Sequence, residues 1–316
     1  MIKRILKWTG IVLLVLIAGV SLIISTRQHV RYNAPYPDIH ASKDSSIIAR
    51  GRQIVFGPAH CTECHNAGNV DSLLLAGADI PLSGAKKFSF GLGDLYSKNI
   101  TPDTATGIGR YTDPQIARVL RYGVHPDGTA VFDFMPFHNI SDEDMTAVIS
   151  YLRAQKPVYN PVPAHSPNLL GKTVIAFLVK PIGPSETIRK SVPRDTTATY
   201  GKYLVHDVAN CNGCHTKRNL SGEYTGELLA GGGPIAKEGY PALMPPNITG
   251  DSSSRIFRWT QDDFVNRFHE GKRISFSEMP WNSFRNMSDT DLKAIYNYLK
   301  SIKSVKSSED ASLAKQ

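Results

Sequence analysis

A chain of 316 residues with 41% hydrophobic content has room for two domains of ordinary size and is too polar for a polytopic membrane protein. Its formal net charge of +8 is laid down unevenly: residues 1–31 carry five basic side chains and no acid, 32–152 nine against thirteen, 153–198 seven against two, and 199–299 eleven of each. The excess sits at the N-terminus and in one connecting stretch, so the pattern is ordinary solvated surface and no long segment offers the basic face that nucleic acid requires.

The chain opens with Lys3, Arg4 and Lys7, followed by an uncharged apolar run over residues 8–24. That run is about long enough to cross a thin bilayer, and the cations ahead of it place the N-terminus in the cytoplasm. A cleaved signal peptide is the alternative. Residues 16–21 show no clear small-x-small cleavage pair, and the run is long for a signal's apolar region, so an uncleaved anchor over residues 1–31 is expected. Under both readings the rest of the chain is exported.

Two segments then share one order of landmarks, residues 32–154 and 199–302. Gly51 and Gly201 each lie ten residues before a cysteine, inside short apolar-patterned helices (Ile54 and Val55; Leu204 and Val205). A bare glycine there allows a second helix to cross closely. Next come Cys61-Thr62-Glu63-Cys64-His65 and Cys211-Asn212-Gly213-Cys214-His215. Leu75-Ala76-Gly77 is paired with Leu229-Ala230-Gly231, and Asn99-Ile100-Thr101 with Asn247-Ile248-Thr249. Arg110-Tyr111-Thr112 and Arg258-Trp259-Thr260 open helices ending near Gly123 and Gly271, with a capping box expected at Thr112 and Gln115. Met135-Pro136 and Met279-Pro280 follow. Ser141 and Ser288 are N-cap signals for last helices whose apolar positions (Met145, Val148, Ile149, Leu152; Leu292, Ile295, Tyr296, Leu299) have helical spacing. Residues 155–198 form a proline-rich basic linker, expected to be extended. Its apolar run over 169–179 is too short to span a membrane and is expected to pack against the domains, with the bilayer surface as the lesser alternative. Residues 303–316 are a polar tail.

The repeated C-x-x-C-H sequence is the attachment signal for c-type haem. Two thiols add to the porphyrin vinyl groups and the adjacent histidine supplies the proximal nitrogen. Half a zinc site, a redox dithiol and a structural disulfide are the ordinary alternatives for a lone C-x-x-C. Here the pairs start 150 residues apart, the histidine recurs, and the two motifs use all four cysteines. Two covalent haem c groups are therefore expected, on Cys61 and Cys64 with His65, and on Cys211 and Cys214 with His215. For the sixth iron ligand, Met135 and Met279 occupy matching places, each stiffened by a following proline. Met244 and Met287 are rivals in the second segment, Met145 belongs to a helical core stripe, and His60, His138, His206 and His269 lack partners across the repeat.

These stretches resemble the membrane-anchored, multi-domain cytochrome c subunits of bacterial alcohol, aldehyde and gluconate dehydrogenases. The most specific likeness runs from Asn99-Ile100-Thr101-Pro102-Asp103 through Thr106-Gly107-Ile108-Gly109-Arg110-Tyr111-Thr112-Asp113 and Leu120-Arg121-Tyr122-Gly123-Val124 to Phe134-Met135-Pro136-Phe137 and Ser141-Asp142-Glu143-Asp144. The resemblance implies an all-α fold of two tandem class I cytochrome c domains behind an N-terminal transmembrane helix. It implies that Cys61, Cys64, His65 and Met135 serve one haem iron, and Cys211, Cys214, His215 and Met279 the other. Many members carry three C-x-x-C-H motifs where this chain has two, and the second copy replaces Gly107-Ile108-Gly109 with Arg255-Ile256-Phe257. The expected function is electron transfer without catalysis. A carrier tethered to the bacterial inner membrane, with its haem domains in the periplasm, would take electrons from a dehydrogenase or quinol-linked donor and pass them to a cytochrome or oxidase. A di-haem peroxidase is the alternative; it needs one open iron, whereas the doubled Met-Pro favours two closed ones.

Overall fold

The computed structural model describes residues 1–78, 80–89, 91–219, 222–237 and 239–306; residues 307–316 of the expected polar tail lie outside the described residues. The helices in chain order are α1 (Ile2–Arg27), α2 (Ser45–Phe56), α3 (Val70–Leu75), α4 (Asp113–Tyr122), α5 (Asp142–Ala154), α6 (Leu169–Phe177), α7 (Ala198–Tyr203), α8 (Cys211–His215), α9 (Gln261–His269), α10 (Trp281–Phe284) and α11 (Asp289–Ser301). The chain is mostly helical, as the all-α expectation has it, with a small sheet added. Strands β1 (Lys87–Ser89), β2 (Gly93–Tyr96) and β3 (Ser166–Pro167) make an antiparallel sheet in the order β1-β2-β3. Gly91 and Gly93, both at positive φ, let the chain double back between β1 and β2, and two residues of the linker add the third strand.

Helix α1 is 26 residues long, about 39 Å at 1.5 Å per residue, which exceeds the ~30 Å hydrocarbon core of a bilayer. It is a candidate membrane span with nearly all its side chains exposed; Ile24 is buried.

Beyond it, one helix crossing occurs twice. Helix α2 packs on α5 and α7 packs on α11. A Cβ on Gly51 would stand 1.9 Å from the Ala147 carbonyl oxygen, and one on Gly201 1.9 Å from that of Ala294. Only glycine permits such contact. The crossing helices start where their side chains cap free backbone N–H groups. Ser141 caps α5, and capping boxes open α4 (Thr112 with Gln115), α9 (Thr260 with Asp263) and α11 (Ser288 with Asp291). Their apolar stripes (Met145, Ile149 and Leu152; Leu292, Ile295 and Leu299) are buried with Ile54, Val55, Leu204 and Val205 in a single continuous core.

The two segments meet where side chains of α2 and α5 reach those of α7. Arg50 grips the Asp144 carboxylate with Nε at 2.9 Å and Nη2 at 3.1 Å, and Tyr203 donates to the same carboxylate at 2.9 Å. Tyr200 donates to Asp291 at 2.7 Å and accepts from Arg50 at 3.3 Å. All these groups are buried. Desolvation works against a charged guanidinium, but the Asp144 carboxylate outweighs it and holds the Arg50 pKa above its usual value. A second bridge runs from Lys272 and Asn282 to Asp71, at 2.6 and 2.8 Å, and from Ser283 to Glu63 at 3.0 Å.

One pairing read from the sequence is out of register. The counterpart of Leu229-Ala230-Gly231 is Leu82-Ser83-Gly84, seven residues beyond Leu75-Ala76-Gly77. Gly84 N–H donates to the His65 carbonyl at 2.8 Å as Gly231 N–H donates to that of His215 at 3.0 Å. Ile100 and Ile248 donate to Leu82 and Leu229, each at 2.9 Å. The first segment inserts α3 here, and Leu75-Ala76-Gly77 merely ends that helix. The linker also departs from a plain extended chain. Its apolar run forms α6, which packs against the end of α1.

Candidate functional site

Each cysteine motif begins with a left-handed residue that is not glycine, His60 at φ 38° and Asn210 at φ 50°. These reverse the chain after the first helix of each segment and start the short turns that carry Cys61–Glu63 and Cys211–His215. Gly213 makes room for the reversal, since a Cβ there would lie 2.4 Å from Asn210 Nδ2. Burial pushes the Cys61 and Cys211 thiols up to about 12, so as free groups they stay protonated.

The motif histidines are held identically. Nδ1–H of His65 donates to the Lys98 carbonyl at 2.8 Å, and Nδ1–H of His215 to the Pro246 carbonyl at 2.8 Å. A carbonyl can only accept, so Nδ1 carries the proton and Nε2 keeps its lone pair, the state a metal ligand needs. Burial lowers both imidazole pKa values and favours that neutral form. The accepting carbonyls belong to the residues before Asn99 and Asn247, which lock the local chain. Asn99 Oδ1 accepts from Thr101 N–H and Oγ1 at 3.0 and 2.8 Å, and its amide donates to Val158 O at 2.8 Å. Asn247 repeats the pattern with Thr249 (2.8 Å twice) and Val305 O (2.6 Å).

Two cavities face these motifs. Cys61, Cys64, His65 and Met135 line one of about 650 Å³; Cys211, Cys214, His215 and Met279 line one of about 590 Å³. Each methionine turns the chain in the same way, with Phe137 N–H donating to Met135 O at 2.8 Å and Trp281 N–H to Met279 O at 2.7 Å. Met244 and Met287 line the second cavity as well, and Met145, fully buried in the α5 stripe, lines the first. His138 and His269 stand apart with both ring nitrogens engaged. They bond Arg121 O and Asp133, and Arg285 O and Asp289, pinning the end of α4 or α9 to its neighbouring Met-Pro loop. His206 bonds the Tyr298 hydroxyl at 2.7 Å.

The sequence reading passed over three features. The carbonyls of Lys98 and Pro246 orient the histidines; their only signal was the matched Asn-Ile-Thr beside them. His125 and His165 line the first cavity. His60 and Asn210 line both cavities, so the residue before each first cysteine forms a shared wall. The donor set fits haem c: two sulfurs and an imidazole with a free Nε2 on the wall of a largely apolar cavity, in the size range of cofactor sites.

Residues 198–303 match the cytochrome c family model. This segment is a cytochrome c domain. Cys211, Cys214, His215 and Met279 lie within it. The whole chain is similar to the cytochrome c subunit of the quinone-dependent alcohol dehydrogenase of Gluconobacter oxydans, with 32% identity over 279 residues, 83% of this chain and 56% of that one. It is similar to the gluconate 2-dehydrogenase cytochrome c subunit of Pantoea cypripedii, with 27% identity over 286 residues, 82% of this chain and 60% of that one. The chain thus spans little more than half the length of these dehydrogenase subunits. A diheme cytochrome c-type protein of Cereibacter sphaeroides is 26% identical over 308 residues, 92% of this chain and 96% of that one.

Proposed function

We propose that this protein is a membrane-tethered, di-haem electron carrier of the bacterial inner membrane, with both haem domains in the periplasm. Its two cytochrome c domains occupy residues 32–154 and 199–302, joined by 155–198. Cys61 and Cys64 hold the first haem covalently, with His65 and Met135 on its iron; Cys211, Cys214, His215 and Met279 do the same for the second. When bound, each haem supplies a one-electron iron centre. The chain holds each proximal imidazole in one tautomer, surrounds each cavity with apolar walls, and fixes the two sites relative to each other through the α2–α7 contact.

The observation that carries this reading is the shared wall. His60 and Asn210 each border both cavities, so the two sites are neighbours. A relay needs that adjacency; two independent binding sites do not. The names of the similar proteins favour a dehydrogenase as donor, and a cytochrome or oxidase is the acceptor that the exported, tethered body would reach. A methionine in matching place in each cavity, Met135 and Met279, speaks against the di-haem peroxidase alternative, which needs one open iron. The test is to purify the full-length protein from a host competent in haem attachment, count covalent haems by intact mass, and mix the reduced protein with a soluble cytochrome c and separately with peroxide. Two haems, rapid electron exchange and inertness to peroxide support the proposal. One haem, or catalytic peroxide consumption with a high-spin signal, overturns it.

A further inference from the structure

Helix α6 is built inside out. Its two buried residues are small, Gly171 and Ala176. Gly171 sits so close to the body that a Cβ would lie 2.0 Å from the Leu92 carbonyl oxygen. Its largest apolar side chains point away: Leu169, Leu170, Phe177 and the following Leu178 are 72%, 58%, 41% and 63% exposed, while Val174 and Ile175 are half-buried. In a helix packed in water the large apolar residues take the buried face and small or polar ones the other. Here the order is reversed, which suits a helix whose outer face meets lipid.

The position of α6 in the molecule indicates which surface it meets. Helix α6 packs against the C-terminal end of α1. Arg27 Nε donates to Ala176 O at 3.2 Å, and its guanidinium lies 5.3 Å from the Phe177 ring centroid. The uncharged run of α1 ends at about Ile24, so Arg27 is about 4.5 Å further along the axis, at headgroup depth when α1 spans a bilayer. Residues 168–185 contain no acid, while Lys172 and Lys180 are exposed beside the patch, and Arg27 and Arg31 follow the anchor. Cations around an apolar face are the pattern of helices that lie on anionic membrane surfaces.

We infer that α6 and Leu178 lie in the headgroup region of the same bilayer that α1 crosses, forming a second membrane contact that holds the haem-bearing body at a fixed height and tilt. This rests on α1 spanning the membrane. With one anchor alone the body would swing on the residues after Arg27; with α6 seated it presents one face to its partners.

The test uses the full-length protein with haems attached, one copy per nanodisc of phosphatidylethanolamine and phosphatidylglycerol. Its own cysteines are then thioethers and silent. Leu170→Cys and Leu178→Cys report on the patch, Leu13→Cys on the anchor and Ser252→Cys on an exposed polar site of the other segment. Each is reacted with a membrane-impermeant maleimide, which needs a thiolate in water. Positions 170 and 178 should react at least about tenfold more slowly than 252, as 13 does, and at the same rate as 252 once the protein is denatured. If 13 is protected while 170 and 178 react like 252, the surface contact is refuted and the anchor stands. If 13 also reacts like 252, the anchor reading fails and the inference falls with it.

Discussion

Replacing Gly201 with alanine tests the claim that close helix crossing, repeated in both segments, holds the two sites in shape. The added Cβ would stand 1.9 Å from the Ala294 carbonyl oxygen, 2.5 Å from its carbon and 2.8 Å from Tyr298 Cβ. Non-bonded carbons rest about 3.5–4.0 Å apart, so α7 and α11 must part by about 1 Å or more, and the obstacle is backbone that no rotamer change relieves. Parting loosens the contacts of Leu204, Leu292 and Ile295, all buried in that seam. Overpacking of this kind destabilises by about 1–3 kcal/mol and occasionally more. Alanine recovers up to about 1 kcal/mol through its higher helix propensity. Because the obstacle is backbone, the upper end of about 3 kcal/mol applies, and the net expectation is a loss of about 2 kcal/mol, and the same for Gly51→Ala, whose Cβ would meet Ala147 O at 1.9 Å. Gly233→Ala is the control, with nothing within 4 Å of its Cβ and an expected change within about 0.5 kcal/mol. Urea unfolding of the haem-loaded proteins, followed by far-ultraviolet circular dichroism and by the Soret band, measures all three. Gly201→Ala unfolding at the midpoint of Gly233→Ala would refute the packing argument. A loss at Gly201 without one at Gly51 would show that the two crossings are not equivalent.

Met135→Ala and Met279→Ala should each leave both haems attached, lower one centre's potential and let that iron bind carbon monoxide when reduced, read by difference spectra. An unchanged second haem in Met279→Ala would move the ligand to Met244 or Met287, which line the same cavity. Arg50→Ala leaves the buried Asp144 carboxylate without its cation and should cost about 3–5 kcal/mol in urea unfolding, with Arg50→Ala/Asp144→Ala recovering part of the loss. Burial, aided by Lys202, lowers the His206 pKa, so the folded imidazole stays neutral where the unfolded one, titrating near about 6.5, takes a proton. Stability should therefore fall as pH drops through about 6.5, and His206→Gln should flatten that slope; an identical slope in the variant would discount His206.

What was legible in the sequence was what is local. The cysteine and histidine spacings, the serine and threonine caps, and the two glycines ten residues ahead of the cysteines each depend on neighbours within a turn or two, or on a steric demand that glycine alone meets. The antiparallel sheet was not legible, because period-two alternation over three or four residues is too short to register and β3 comes from a linker far along the chain. The insertion of α3 misled the pairing of Leu75 with Leu229, since Leu-Ala-Gly recurs by composition while the true match is defined by backbone hydrogen bonds. Lys98 and Pro246 act through their carbonyls, which no side chain advertises. The shared wall at His60 and Asn210 depends on how the segments dock, and that docking is spread over Arg50, Asp71, Tyr200, Tyr203 and Lys272 with no motif of its own.

The docking also bears on why two similar segments share one chain. Arg50 and Tyr200 are equivalent positions, each one residue before the crossing glycine, and they meet each other at 3.3 Å across the contact between α2 and α7. In a symmetric pair of identical chains, residues near the two-fold axis face their own copies. Two arginines buried there would repel, and two tyrosines would leave Asp144 without its cation. A tandem chain permits different residues at the two positions, so one guanidinium serves the carboxylate of its own segment and the hydroxyl of the other, while that hydroxyl serves Asp291. The asymmetry makes the contact specific and satisfies every buried group in it, and the two cavities adjoin as a consequence. Arg50 and Tyr200 line neither cavity, so on the proposed di-haem reading electron transfer between the sites would depend on a contact outside both, and loss of the Arg50–Tyr200 bond should disturb both sites together.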